Sequence, residues 1–456
     1  MATDPYAMLR SRGYIVLLVF AALLGVPISA AAYGFLVLVA DLQTWVFTDL
    51  PDGLGFDGMP TWWPIVPLVV AGFLVGAVIK YTPGGGGHSP ADGFKAGEGS
   101  PTPIELPGIF LAAVISLGLG AVIGPEAPLI ALGGGLAALA VRLVKRDAPE
   151  QALVVIGAAG SFAAISSLLG SPLLGAFLLM EAIAVGGVAA TMVLLPGLLA
   201  AGIGALVFIG FGERAGVGDL SLAVPGLPAF DHPNAAQFGW AIVIGLLAAV
   251  IGSAIRVLGV KARNHVERRI LIMTPVAGLV VALLAILYTE ATDKGIDDVL
   301  FSGQSDLPTL VGNHASYTVG ALLLLVLCKS LAYGVSLSSF RGGPVFPAMF
   351  IGAAGGIAMS HLPGMDLVPA VAMGIGAMSA VLLRLPLTSV LLATLLLGTD
   401  GLAAMPVAIV AVVVAFIASA WFVPFVTAAA ADGAAADAGP TAAEPTPVTT
   451  GGPAPS

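Results

Sequence analysis

Residues 124–128 read Gly124-Pro125-Glu126-Ala127-Pro128, and residues 343–347 read Gly343-Pro344-Val345-Phe346-Pro347. Each is a Gly-x-x-x-Pro motif between two apolar stretches. A second motif follows each of them: Pro172-Leu173 and Pro386-Leu387, both opening an apolar run. Proline is favoured in the first turn of a helix, where its missing N–H is not needed, so all four motifs read as helix starts. The interval from Pro128 to Pro172 is 44 residues, and from Pro347 to Pro386 it is 39. The same order at similar spacing points to duplicated halves, roughly 13–212 and 233–426, joined by a loop over 213–232. Duplicated halves are a common plan of transporters.

The surrounding composition sets these motifs in a membrane. Of 456 residues, 58% are hydrophobic and 9% charged, against about 25% charged in an average soluble domain. A water-soluble enzyme of this size could not cover its surface with so few charges. Charge-poor apolar windows recur at 13–40, 58–79, 106–125, 151–180, 182–212, 233–255, 270–289, 307–328, 342–365 and 401–426. A spanning helix needs about 20 such residues. The stretches 127–141, 367–383 and 385–399 are shorter. Short or broken helices survive at membrane depth only when buried in protein or lining a cavity. The predicted fold class is therefore an all-α polytopic membrane protein, a bundle of many tilted, partly broken helices.

Charge places the ends. Arg10 and Arg12 precede the first window, Arg142, Lys145 and Arg146 form a second basic cluster, and Lys261, Arg263, Arg268 and Arg269 a third. The loops 41–57 and 290–298 are acidic. The positive-inside rule puts residues 1–12 and both later clusters in the cytoplasm of a cell (plasma) membrane protein. The first window is too long for a cleavable signal. Residues 427–456, rich in Ala, Pro, Thr and Gly, read as a disordered cytoplasmic tail. A single cysteine, Cys328, excludes an internal disulfide framework. Five scattered histidines offer no metal-ligand spacing, so no metal or cofactor is expected. The chain has no basic stripe for nucleic acid.

Duplicated helix starts would bring several helix N-termini together at the midplane. Each carries free N–H groups and about half a positive charge, and converging N-termini bind anions. Weak dipoles let an anion leave again, as an intramembrane Lys or Arg would not. Glu126 follows a proline at such a start. A carboxylate there is costly and usually functional. It can occupy the anion's place and leave when protonated, which would make it a pH-dependent gate; the alternative is a helix cap. Glu181 ends an apolar run and reads either as a hydrogen-bonded structural carboxylate or as a proton relay. The glycine-rich stretch 84–90 reads as backbone N–H groups approaching an anion or as a linker. Arg341 and Arg384 read as vestibule charges that concentrate anions or as structural groups, and Lys329 as a vestibule charge or a paired structural cation. Trp62-Trp63 reads as an interfacial pair, and Gly134-Gly135 as close helix packing.

At these residues the sequence resembles the CLC family of chloride channels and chloride/proton antiporters, in a divergent form over roughly 60–400. Gly124 to Pro128 looks like the family's G-R/K-E-G-P. Gly343 to Pro347 looks like G-x-F-x-P. Ser171-Pro172-Leu173, running to Glu181, resembles the helix that ends in Glu-Glu, and Arg384-Leu385-Pro386-Leu387-Thr388 resembles R-A-P-L-T. Phe301-Ser302-Gly303 and Lys329 fall in family-like order. The resemblance implies an inverted-repeat bundle, a homodimer with a pore in each subunit, and Glu126 as the gate. It implies anion contacts at Gly86, Gly87, His88, Ser89, Gly124, Pro125, Ala127, Val345 and Phe346, and a proton path at Glu181. Four departures matter. Gly87 stands where the family has its anion-binding Ser, with Ser89 able to substitute if the loop shifts. The central Tyr is missing. Pro344 lacks a backbone donor. Ala182 replaces the antiporters' inner Glu. These imply a weaker anion site and favour uncoupled, channel-like conduction of chloride, the alternative being chloride/proton antiport by a non-standard path. Fluoride preference stays open. An intramembrane hydrolase is disfavoured, since HExxH and GxSxG are both missing. A membrane scaffold is disfavoured too, because it need not bear the cost of Glu126.

Overall fold

The computed structural model describes residues 9–93, 100–183, 187–215, 224 and 227–428, without the side chains of 187–189, 208–209 and 211–215. The expectations for residues 1–8 and 429–456, and for much of the loop 213–232, lie outside the described residues. Sixteen α-helices occur among those described. The first half holds α1 (Arg12–Thr44), α2 (Leu50–Gly53), α3 (Ile65–Tyr81), α4 (Leu106–Gly118), α5 (Glu126–Val144), α6 (Glu150–Leu169), α7 (Pro172–Ile183) and α8 (Gly187–Ala215). The second holds α9 (Ala235–Arg268), α10 (Ile270–Thr292), α11 (Asp306–Gly312), α12 (Val319–Ser339), α13 (Val345–Met359), α14 (Leu367–Leu383), α15 (Pro386–Leu396) and α16 (Gly398–Ala420). Among the described residues, eight helical segments are long and apolar enough to cross a membrane, and six more apolar helices have only 10–17 residues.

All four predicted helix starts are present. α5 begins at Glu126 and α13 at Val345, each behind a proline N-cap. α7 and α15 begin at Pro172 and Pro386. The manner of starting differs with position. α1, α9 and α12 are capped by the side chains of Ser11, Asn234 and Thr318, which accept N–H groups of the first turn. Such caps stabilise a helix by about 1 kcal/mol. α5 and α13 have no side-chain cap, so their first N–H groups stay available to something else.

The helix after each Gly-x-x-x-Pro motif packs backbone to backbone on the next one. A Cβ at Gly160 in α6 would strike the carbonyl oxygen of Gly133 in α5, and one at Gly374 in α14 would strike that of Gly352 in α13. Small residues permit this approach, which drives helix association where lipid supplies no hydrophobic force. The Gly134-Gly135 expectation is thus met by its neighbour Gly133 as well. The Trp pair is corrected in part. Trp62 is exposed, but Trp63 is buried and donates its indole N–H to the Val46 carbonyl at 3.0 Å.

Candidate functional site

The two halves meet at their matching motifs. The Gly124 N–H donates to the Gly343 carbonyl at 2.8 Å, and the Gly343 N–H returns to the Gly124 carbonyl at 2.6 Å, an antiparallel bridge. This puts the N-termini of α5 and α13 side by side, with the Glu126 side chain between them. Its Oε1 accepts the Phe346 N–H at 2.9 Å. The N–H groups of Val345 and of Glu126 itself also act on the carboxylate. Its Oε2 is buried with no hydrogen-bond partner, and the residue is 0% exposed. A Cβ on Gly124 or on Gly343 would overlap the carboxylate, so glycine at both positions leaves the space the carboxylate fills. Two helix dipoles of half a charge each suit one negative charge there.

Beside this crossing lies a cavity of about 500 Å³. It reaches Ala127 and Pro344, the chain neighbours of Glu126 and Val345, while Glu126 stays out of its wall. Gly86, Gly87, His88 and Ser89 line its other side. Gly84, Gly85, Gly86 and Gly87 all have positive φ, between 56° and 93°, a run only glycine adopts without strain. The Ser89 Oγ is buried in this wall without a hydrogen-bond partner. Arg341 also lines the cavity. Its N–H donates to Ser116 Oγ at 3.1 Å and its Nε to the Gly85 carbonyl at 3.4 Å, tying the loop to the α12–α13 break.

The other predicted site residues fall differently. The Gly124 N–H is engaged by Gly343, and Pro125 has none to give; of that motif Ala127 and Pro128 line the cavity. Lys329 is not a vestibule charge. It is 0% exposed, donates to the carbonyls of Asp298, Val299 and Leu300 at 2.8, 3.2 and 3.1 Å, and lies 4.1 Å over the Phe350 ring. Asp297, Asp298 and Asp306 supply its counter-field. Arg384 is also outside the cavity wall. It ends α14 with φ 63° and stacks 5.7 Å from the Phe416 ring. Glu181 accepts from Leu387 N–H at 2.9 Å and from Thr388 N–H and Oγ1 at 2.7 and 2.6 Å. It holds the first turn of α15 across the half-to-half contact.

Two residues escaped the sequence reading. Tyr333 in α12 is 1% exposed and lies within electrostatic reach of Glu126 and of Arg256. Arg256 lies inside α9, one turn before the basic cluster at Lys261, and its charge in a helical apolar run was the missed signal.

Residues 68–420 match the family described as voltage gated chloride channel. The chain belongs to this family, the CLC proteins. Its relatives include YfeO of Escherichia fergusonii, named as an ion-transport protein, 27% identical over 373 residues that cover 78% of this chain and 81% of that one. The YfeO protein of an Escherichia coli strain is 26% identical with the same coverage. Among solved structures, a slow cyanobacterial Cl⁻/H⁺ antiporter superposes with TM-score 0.69 at 20% identity, covering 90% of this chain and 98% of that one. A CLC-type fluoride/proton antiporter superposes with TM-score 0.65 at 17% identity, covering 88% and 95%. These two establish the CLC fold. The chain is an integral membrane protein of a family of anion transporters and channels, not an enzyme.

Proposed function

We propose that the chain carries chloride, or a similar small anion, through the Glu126 crossing, and that Glu126 is the gate. One observation carries this reading: a fully buried carboxylate lies between two uncapped helix N-termini with one oxygen held and the other without a partner. The carboxylate occupies the anion's place. Once protonated it loses its attraction to the dipoles and yields to an anion arriving from the cavity. Arg341 raises the anion concentration there, and the Ser89 hydroxyl is the free donor that replaces the serine missing at Gly87. Conduction is uncoupled in this reading, because Glu181 is fully engaged in capping α15 and Ala182 cannot titrate. The functional unit is a homodimer with a pore in each subunit, in the plasma membrane with both termini cytoplasmic and no cofactor. The halves 13–212 and 233–426 form the two repeats.

The test is chloride efflux from proteoliposomes with external pH recorded and voltage set by valinomycin and potassium. Chloride flux without uphill proton movement is expected. It should rise as pH falls, about tenfold per unit above the gate's pKa. Glu126→Gln, which mimics the protonated gate, should flatten that profile. Protons driven uphill by the chloride gradient would overturn uncoupled conduction, and an unchanged profile in Glu126→Gln would remove the gate assignment.

A further inference from the structure

α9 is pressed against two neighbours along one face. A Cβ at Gly252 would lie 2.7 Å from Val381 Cγ1 and 3.4 Å from Met378 Sδ of α14. A Cβ at Gly259 would lie 3.1 Å from Leu337 Cβ and 3.4 Å from the Gly334 carbonyl of α12. Arg256, four residues after one glycine and three before the other, shares that face and points into the seam between α12 and α14. Arg384 directly follows α14 and stacks on Phe416 of α16, and the two guanidiniums are near enough to repel each other. Among the described residues neither forms an ion pair with a carboxylate. One Nη of Arg384 is buried without a hydrogen-bond partner. Arg384 also holds a left-handed backbone, φ 63°, at a helix end where glycine is the usual residue. Two adjacent, partly buried cations without a carboxylate partner favour an anion between them. What is missing is a negative charge, and two planar guanidinium forks set its geometry.

We infer that Arg256 and Arg384 form a second anion-binding site, apart from the Glu126 crossing, whose ligand is a small inorganic anion. Tyr333 lies within reach of both Arg256 and Glu126, so an anion at this site is electrically linked to the gate. The site is a stop on the anion's route to the crossing. This role rests on the chain carrying anions, as proposed above.

The test is bromide anomalous diffraction on the full-length protein, joined to chloride flux. A bromide peak between Arg256 and Arg384 is expected, lost in Arg256→Gln and kept in Arg256→Lys. In vesicles, the half-saturating cytoplasmic chloride should rise about tenfold in Arg256→Gln and return toward wild type in Arg256→Lys. Arg384→Gln serves as a second variant should Arg256→Gln fail to fold. A bromide peak at the crossing of Glu126→Gln with none between the arginines would overturn the site. So would a lipid phosphate held there that bromide does not displace, or a half-saturation unchanged in both glutamine variants. If wild-type vesicles pass no chloride at all, the transport reading falls and the bromide peak alone decides this one.

Discussion

Glu126 and Lys329 are both fully buried charges in a membrane bundle, and they are provided for in opposite ways. Lys329 has three carbonyl acceptors, an aromatic ring beneath it and three aspartates in its field. Glu126 has one good hydrogen bond at Oε1, an Oε2 with none, and two glycines that leave room around it. A buried charge whose hydrogen bonds are complete is held in one place and organises the backbone around it. A buried charge left incomplete is cheap to move. Burial alone therefore does not distinguish the two; the unfilled hydrogen-bonding capacity does.

The largest expected effect is at Lys329. Lys329→Met leaves three buried carbonyls without their donor and the aspartates without their cation, and removing one side of a buried charge network costs about 3–5 kcal/mol. Little monodisperse protein is expected, or a melting temperature lower by about 3–5 °C. A variant that melts like wild type would break the contrast.

A smaller effect is expected at Gly343. The Cβ of Gly343→Ala overlaps the Glu126 carboxylate and should push it out of the crossing. Chloride flux at neutral pH should rise toward its low-pH level. Adding Glu126→Gln should then change little, because two changes acting through one group are not additive. Fully additive effects would show that the glycine does not act through Glu126.

Ser89 should give the smallest effect. Its hydroxyl has no partner to lose, so Ser89→Ala should leave stability within about 0.5 kcal/mol. Chloride affinity should fall about fivefold, the worth of one hydrogen bond of about 1 kcal/mol. Lost stability with unchanged affinity would make Ser89 a packing residue.

Much of this was legible in the sequence because it is local. Proline at a first turn specifies a helix start from its own covalent geometry, and all four starts stand where the motifs put them. Glu126 could be singled out because a carboxylate in an apolar segment needs a reason wherever it sits. Arg384, Lys329 and Glu181 could not be sorted in the same way. Each is a charge beside an apolar run, and what separates them lies on other helices: the Phe416 ring, the 298–300 carbonyls, and the first turn of α15. Arg256 was missed because in sequence it merges with the basic cluster that follows, while in space it faces the α12–α14 seam.

The sequence by itself determined that the chain is a helical membrane protein with helix starts at its four proline motifs, because helix starts, apolar length and charge placement act within a few residues. Only the tertiary structure decided which buried charge has its hydrogen bonds complete and which does not. The Glu126 carboxylate is met by an N–H 220 residues away. No local signal encodes a partner at that distance; it exists only once the Gly124–Gly343 bridge has brought the two halves together.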